Sequence, residues 1–215
     1  MAQDREVSSE SVPDLLRRGL AELGVEPSAA QSEALLTLAS ELERWSQRMN
    51  LTAHRSPEAI VRHLILGAAA LVAQLPPIAS LADIGSGAGF PGLPFAVLRP
   101  DSRVTLVEPR RKRHHFQRAA VRAMGLRNVD MRLGRAEELE ANPHRAVVAQ
   151  ALAQPDRALP WMLPWVEIGG LVLLPASADA PAPPIGENFS FEDERLRYRV
   201  PCGGPLRTLW IGRRH

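Results

Sequence analysis

The sequence predicts an α/β fold: a doubly wound, mostly parallel seven-stranded sheet with an antiparallel C-terminal hairpin, preceded by an N-terminal helical cap. Three observations predict it. From Ile78 onward short apolar runs alternate with helical stretches. Strands joined by such crossovers must run parallel, and right-handed crossovers put helices on both faces of one sheet. Before Ile78 the apolar residues recur at helical spacing. Near the C-terminus Leu196, Tyr198 and Val200 alternate, Cys202-Gly203-Gly204-Pro205 turns, and Leu206 to Ile211 returns, the pattern of a hairpin. The expected division is a helical cap over residues 1–76 and a sheet domain over 77–215, forming one compact unit.

Each element has its own signals. Ser11, followed by Pro13 and Asp14, opens the first helix, and Gly24 stops it. Ser28 and Gln31 form a capping box; Leu35, Leu38, Leu42, Trp45 and Met49 then make one apolar stripe that packs on the rest of the fold. Ser56-Pro57 opens a third helix, running to about Gln74 and closed by Pro76-Pro77. The expected strands are Ser80 to Ile84, Val104 to Val107, Val129 to Leu133, Ala146 to Leu152 and Leu171 to Leu174. Helices are expected near Pro91 to Leu98, Arg110 to Met124 and Pro155 to Val166. The proline- and alanine-rich segment from Pro175 to Ser190 reads as a loop.

Composition bounds the function. The 215 residues are 45% hydrophobic and 23% charged, which excludes a disordered, collagen-like or disulfide-scaffold chain. Cys202 is the single cysteine, so neither an internal disulfide nor a thiolate zinc cluster can form, and a reducing compartment is expected. No apolar run approaches the roughly 18 residues of a membrane span, and the polar start lacks a signal-peptide core. The expected setting is the cytoplasm, with no membrane partner. Asn50-Leu51-Thr52 is then not a glycosylation site. Lys112 is the only lysine among 26 basic residues. Genomic base composition is the plain account of that bias, although arginine also suits phosphates and guanine edges. A pI near 9.3 permits a nucleic-acid partner.

In doubly wound sheets ligands bind outside the carboxyl ends of the strands, at the switch point. After the first strand comes Asp83-Ile84-Gly85-Ser86-Gly87-Ala88-Gly89-Phe90-Pro91-Gly92. Gly85, Gly87 and Gly89, preceded by an acid, suit the nucleoside loop of an S-adenosylmethionine methyltransferase. Gly87, Gly89 and Gly92 instead suit a dinucleotide fingerprint, with Glu108 about 20 residues on as the ribose acid. A third reading is a turn without a ligand. A dinucleotide loop needs a helix N-terminus free to receive a pyrophosphate, and dinucleotide folds usually begin at this strand, whereas three helices precede it here. S-adenosylmethionine carries no phosphate; Asp83 is placed to hold its charged end, directly or through water, and Glu108 to accept from both ribose hydroxyls.

These residues resemble a known family, the RsmG or GidB small-subunit ribosomal RNA methyltransferases of bacteria, which act on N7 of a guanine. The resemblance runs from about Leu35 to Val148 and is most specific from Asp83 through Pro94, where the glycine loop enters Phe-Pro-Gly-Leu-Pro. Glu43-Arg44-Trp45, Met49-Asn50-Leu51-Thr52, Val61-Arg62-His63, Arg111-Lys112-Arg113 and Gly134-Arg135-Ala136-Glu137-Glu138 fall in register with it. It implies a Rossmann-like class I methyltransferase fold, S-adenosylmethionine as cofactor, and ribosomal RNA or the small subunit as partner. It assigns Asp83, Gly85, Ser86, Gly87, Gly89 and Phe90 to the methionine side of the cofactor, Glu108 to the ribose, and Ala136 with Glu137 to the adenine. For Glu137 and Glu138 a solvated helix start is the competing account.

The acceptor half departs from the family. Where the family has an aspartate and a serine after the histidine, this chain has Leu66-Gly67; an arginine is replaced by Gln150, and a lysine and glycine by Pro175-Ala176. Guanine N7 has a free lone pair, so its methylation needs no general base, and no catalytic residue is assigned. Recognition is the altered part, since Leu66 cannot accept a hydrogen bond. A relative that binds the cofactor but no longer methylates, with a regulatory or partner-binding role, is the alternative function, followed by a methyltransferase for another acceptor. Arg110, Arg111, Lys112 and Arg113 are candidate RNA contacts, with Arg44, Arg48, Arg55 and Arg62 in the cap; solvated faces are the plain account of both. His114 and His115 read as helix-surface histidines, and His63 as a packing or hydrogen-bonding residue between cap and sheet. No metal ligands stand at site spacing. Trp161 and Trp165 cover the sheet, and Asn50 and Thr52 either close over the cofactor or cap a loop.

Overall fold

The computed structural model describes residues 10–183 and 189–215. Helix α1 (Val12–Glu22) starts at Ser11, whose side chain accepts from the Asp14 N–H. Helix α2 (Ala29–Ser46) starts at the expected Ser28–Gln31 capping box. The third expected helix is present but not uniform: α3 (Pro57–Ile60) passes through a π-helical segment, Val61–Ile65, into α4 (Leu66–Ala73). A π turn accommodates an extra residue and rotates the helix beyond it by about 100° relative to an unbroken one. Leu66, the first residue after it, is wholly buried, and a Cβ built on Gly19 of α1 would lie 2.4 Å from its Cδ1.

The sheet is built from β1 (Ser80–Ile84), β2 (Arg103–Glu108), β3 (Val129–Leu133), β4 (His144–Val148), β5 (Val166–Ser177), β6 (Phe189–Arg199) and β7 (Leu206–Arg214). Its order is β3-β2-β1-β4-β5-β7-β6. The first five strands are parallel, and β7 runs antiparallel to β5 and β6. Helices α5 (Gly92–Leu98), α6 (Arg111–Ala123) and α7 (Pro155–Met162) connect the parallel strands, with a 3₁₀ turn, Leu163–Trp165, after α7. Side chains alternate across a strand, so Leu81 packs with the cap helices, α5 and α6, while Ala82 and Ile84 pack with α7 on the other face.

Three strands differ most from expectation. β4 stops at Val148 rather than Leu152, because Ala151 adopts a left-handed φ of 53°, which a strand does not hold. Gln150 therefore stands in a loop. β5 takes over both the end of the expected α7 and the start of the expected loop. Gly169, at φ 75°, and Gly170 carry it past a register shift against β4, where a Cβ on Gly170 would lie 3.0 Å from the Arg145 carbonyl. β6 begins at Phe189, before the expected Leu196, and residues 184–188 of the expected loop lie outside the described residues. Among the described residues no helix is long and apolar enough to cross a membrane.

Leu66 joins the cap to the core cluster beneath it. Leu66→Ala is expected to lower stability by about 2–5 kcal/mol, the range for truncating a buried leucine, measured by denaturant unfolding; a loss under about 1 kcal/mol would contradict this packing.

Candidate functional site

The winding reverses between β1, which pairs with β2 on one side, and β4 on its other side. The loops after β1 and β4 separate there, opening the carboxyl end of the sheet. The loop after β1 carries glycines at positive φ, Gly85 at 70°, Gly87 at 58° and Gly89 at 84°, the region only glycine enters freely. It is pinned to its neighbours. The Gly85 and Ser86 N–H groups donate to the Val107 carbonyl at 2.9 and 3.1 Å. The Gly87 N–H donates to Glu108 Oε2 at 2.9 Å, and the Arg110 N–H to Oε1 at 2.8 Å.

Gln117 of α6 closes this turn from beneath. It is fully buried, and its amide donates to Ser86 Oγ at 2.8 Å and to the Gly87 carbonyl at 2.9 Å. The Gly87 peptide unit and its neighbour are thus held by Glu108 on one side and Gln117 on the other. Gln117 gives no signal in the sequence, because one glutamine on a helix carries no motif. The Ser86 hydroxyl is turned inward to this network.

Asp83 is wholly buried at the end of β1. Its Oδ2 accepts from the Gly92 N–H at 2.9 Å, while Oδ1 has no partner. Burial pushes its carboxyl up from 3.8 to about 7; the Gly92 N–H opposes the shift and the Glu108 charge adds to it. Because this carboxylate caps the first turn of α5, that helix does not present a free N-terminus, which removes the basis of the dinucleotide reading. Asp83 holds the loop from behind.

Beside the loop lies a cavity of about 520 Å³, lined by His54, His63, Gly67, Phe90, Gln150, Pro175, Tyr198 and Arg207 among others. Gln150 and Pro175 stand on it. Leu66 does not. Its side chain packs against α1 after the π segment, so Gly67 faces the cavity instead, and Leu66 is corrected from an acceptor-side residue to a core residue. Among the described residues lining the cavity there is no carboxylate. Leu152 leans over the glycine turn: a Cβ on Gly85 would be 2.4 Å from its Cδ1.

The remaining candidates divide. Ala136 is buried in the cluster that holds Ile84 and Val107, and its carbonyl accepts from Trp165 Nε1 at 3.2 Å. The Glu137 side chain is exposed, 3.6 Å from Arg135. Arg110, Arg111 and Lys112 are exposed at the start of α6, whereas Arg113 is half-buried with its guanidinium 3.6 Å from a Cβ built on Gly87. His114 is not on the surface; it is buried with Nε2 3.5 Å from the Met131 carbonyl, while His115 is exposed. His63 stacks on His54 with ring centroids 4.6 Å apart, facing the cavity. Asn50 accepts from Arg55 at 3.1 Å and Thr52 from the His54 N–H at 3.1 Å, so both order their own loop. Among the described residues no cluster of metal-ligating side chains occurs.

The folded state holds the Asp83 proton more tightly than the unfolded chain does. Between about pH 4 and 7 the native protein therefore binds more protons at this group, and raising the pH through that window lowers its stability. Asp83→Asn should flatten this fall. Denaturant unfolding from pH 4 to 8 checks it, and the same pH slope in wild type and variant would contradict the burial assigned to Asp83.

Residues 31–179 match the GidB family, described as rRNA small subunit methyltransferase G. Similar proteins include the Ribosomal RNA small subunit methyltransferase G of Chromohalobacter salexigens, 39% identical over 166 residues, covering 77% of this chain and 79% of the relative. That of Roseiflexus sp. is 37% identical over 172 residues, covering 77% and 74%. That of Neisseria meningitidis serogroup B is 33% identical over 155 residues, covering 72% and 75%. Among solved structures, MtNAS in complex with MTA and tNA aligns with a TM-score of 0.57 at 16% identity, over 94% of this chain and 75% of that one. TrmN from Thermus thermophilus aligns at 0.51 and 18%, over 70% and 48%. The expected Rossmann-like fold is borne out by these likenesses. By sequence, the chain belongs to the GidB family, the rRNA small subunit methyltransferases G.

Proposed function

We propose that this chain transfers a methyl group from S-adenosylmethionine to N7 of a guanine in small-subunit ribosomal RNA. The observation that carries the reading is the glycine turn fixed against the buried Glu108 carboxylate. The residues present fit the cofactor. Glu108 uses each oxygen once, on the Gly87 and Arg110 N–H groups, which leaves lone pairs for two vicinal hydroxyls. The unpartnered Asp83 Oδ1 leaves an acceptor behind the loop for a donor on the ligand or a bridging water. Ala136, in the cluster beside the ends of β1 and β2, would border the adenine; Glu137, on the surface, would reach it only by leaving Arg135.

Bound S-adenosylmethionine would supply a methyl group on a cationic sulfur for transfer to the N7 lone pair, leaving a neutral thioether and a cationic purine. No residue need remove a proton. The chain's own residues therefore align the acceptor and exclude water. Phe90, Tyr198 and Val200 offer apolar faces to a base in the cavity, and the Gln150 amide offers both a donor and an acceptor to its edge. Exposed Arg110, Arg111 and Lys112 at the start of α6 would contact RNA phosphates, whereas Arg113 is turned toward the glycine turn.

The lack of a carboxylate among the described cavity residues supports a second reading, a family member that binds the cofactor without methylating. Transfer of radiolabel from S-adenosylmethionine separates the two. Label in small subunits or their RNA, mapped to guanine N7, is expected; cofactor binding with no transfer to either would select the second reading. Glu108→Ala should weaken cofactor binding by about 1–3 kcal/mol through lost charged hydrogen bonds, read by calorimetry. Unchanged affinity would remove Glu108 from the site.

A further inference from the structure

The C-terminal hairpin forms one wall of the 520 Å³ cavity, and one residue on it has no task in the fold. Arg207 of β7 stands directly opposite Tyr198 of β6, so the two side chains share a face. Tyr198 is buried in the cavity wall, and Arg207 is exposed at the rim. Arginines of the neighbouring cap are committed: Arg62 to Glu58 and the Cys202 carbonyl, and Arg55 to Asn50. Among the described residues the Arg207 guanidinium makes no hydrogen bond or ion pair, and it is the one guanidinium lining the cavity. Gln150 and Pro175, two positions where the resemblance led to an arginine and a lysine, line the same cavity without charge. A base that enters a cavity leaves its phosphate outside in water, where an exposed guanidinium can meet it, and arginine is the preferred fork for phosphate.

We infer that Arg207 binds a backbone phosphate of the acceptor RNA at the cavity rim. This specificity contact rests on the RNA-methylating reading above. The test measures binding of the full chain, saturated with S-adenosylhomocysteine, to small subunits and to their extracted RNA over a range of KCl. Arg207→Gln should weaken binding about five- to tenfold and reduce the slope of log affinity against log salt by about 0.7–0.9, one phosphate's worth. Arg207→Lys should restore the slope, a recovery that a merely structural role would not produce. Arg145→Gln, at the opposite end of the sheet and paired with Glu167, should change neither, and S-adenosylhomocysteine affinity should be the same throughout. Wild-type affinity and slope in Arg207→Gln would overturn the inference while leaving the methylation reading to the label-transfer result. A wild-type protein that binds neither RNA would overturn both.

Discussion

One carboxylate organises the carboxyl end of this sheet. Glu108 closes β2 directly beside the glycine turn, because β1 and β2 are in register with Ile84 against Val107. A turn at positive φ points backbone N–H groups away from any ladder, and a buried one left unpaired costs about 1–3 kcal/mol. Glu108 accepts the Gly87 N–H, Gln117 donates to the Gly87 carbonyl, and Asp83 accepts the Gly92 N–H. The loop is held on three sides before any ligand arrives, which is the preorganisation a tight nucleoside site requires.

The same geometry explains why the two halves of the site tolerate change differently. The glycine turn is bound into the fold: Asp83, Ser86, Glu108 and Gln117 are buried and hydrogen-bonded around it, so altering one disturbs the sheet ends. The cavity side is formed by loop and rim residues, Gln150 after β4, Pro175 in β5 and Arg207 in β7, whose side chains answer to no internal partner. A charge can therefore be gained or lost at these positions without repacking the core. N7 methylation permits this freedom, since it needs placement rather than proton transfer.

Much of this was legible in the sequence. The capping box, the alternation of strand and crossover and the glycine string each rest on local rules, and β1 and β3 fall on their expected residues. What escaped depends on contacts across the chain. Leu66 looked like an acceptor-side residue by position, but the π segment before it turns it onto Gly19. His114 looked exposed by its neighbours, yet it faces β3. Gln117 and Arg207 carry no motif, and only three-dimensional neighbours, thirty residues away for one and the facing strand for the other, give them roles. The early end of β4 turned on a single left-handed residue, Ala151, whose type gives no warning.

The central claim is that the adenosyl group sits between the glycine turn and Glu108. Crystals of the chain grown with S-adenosylhomocysteine test it most directly. The account predicts the ribose hydroxyls on the Glu108 carboxylate, the amino-acid end beside Gly85 and Gly87, and Leu152 displaced from above Gly85. Density for the ligand elsewhere, or a Glu108 carboxylate making no contact with it, would contradict the account.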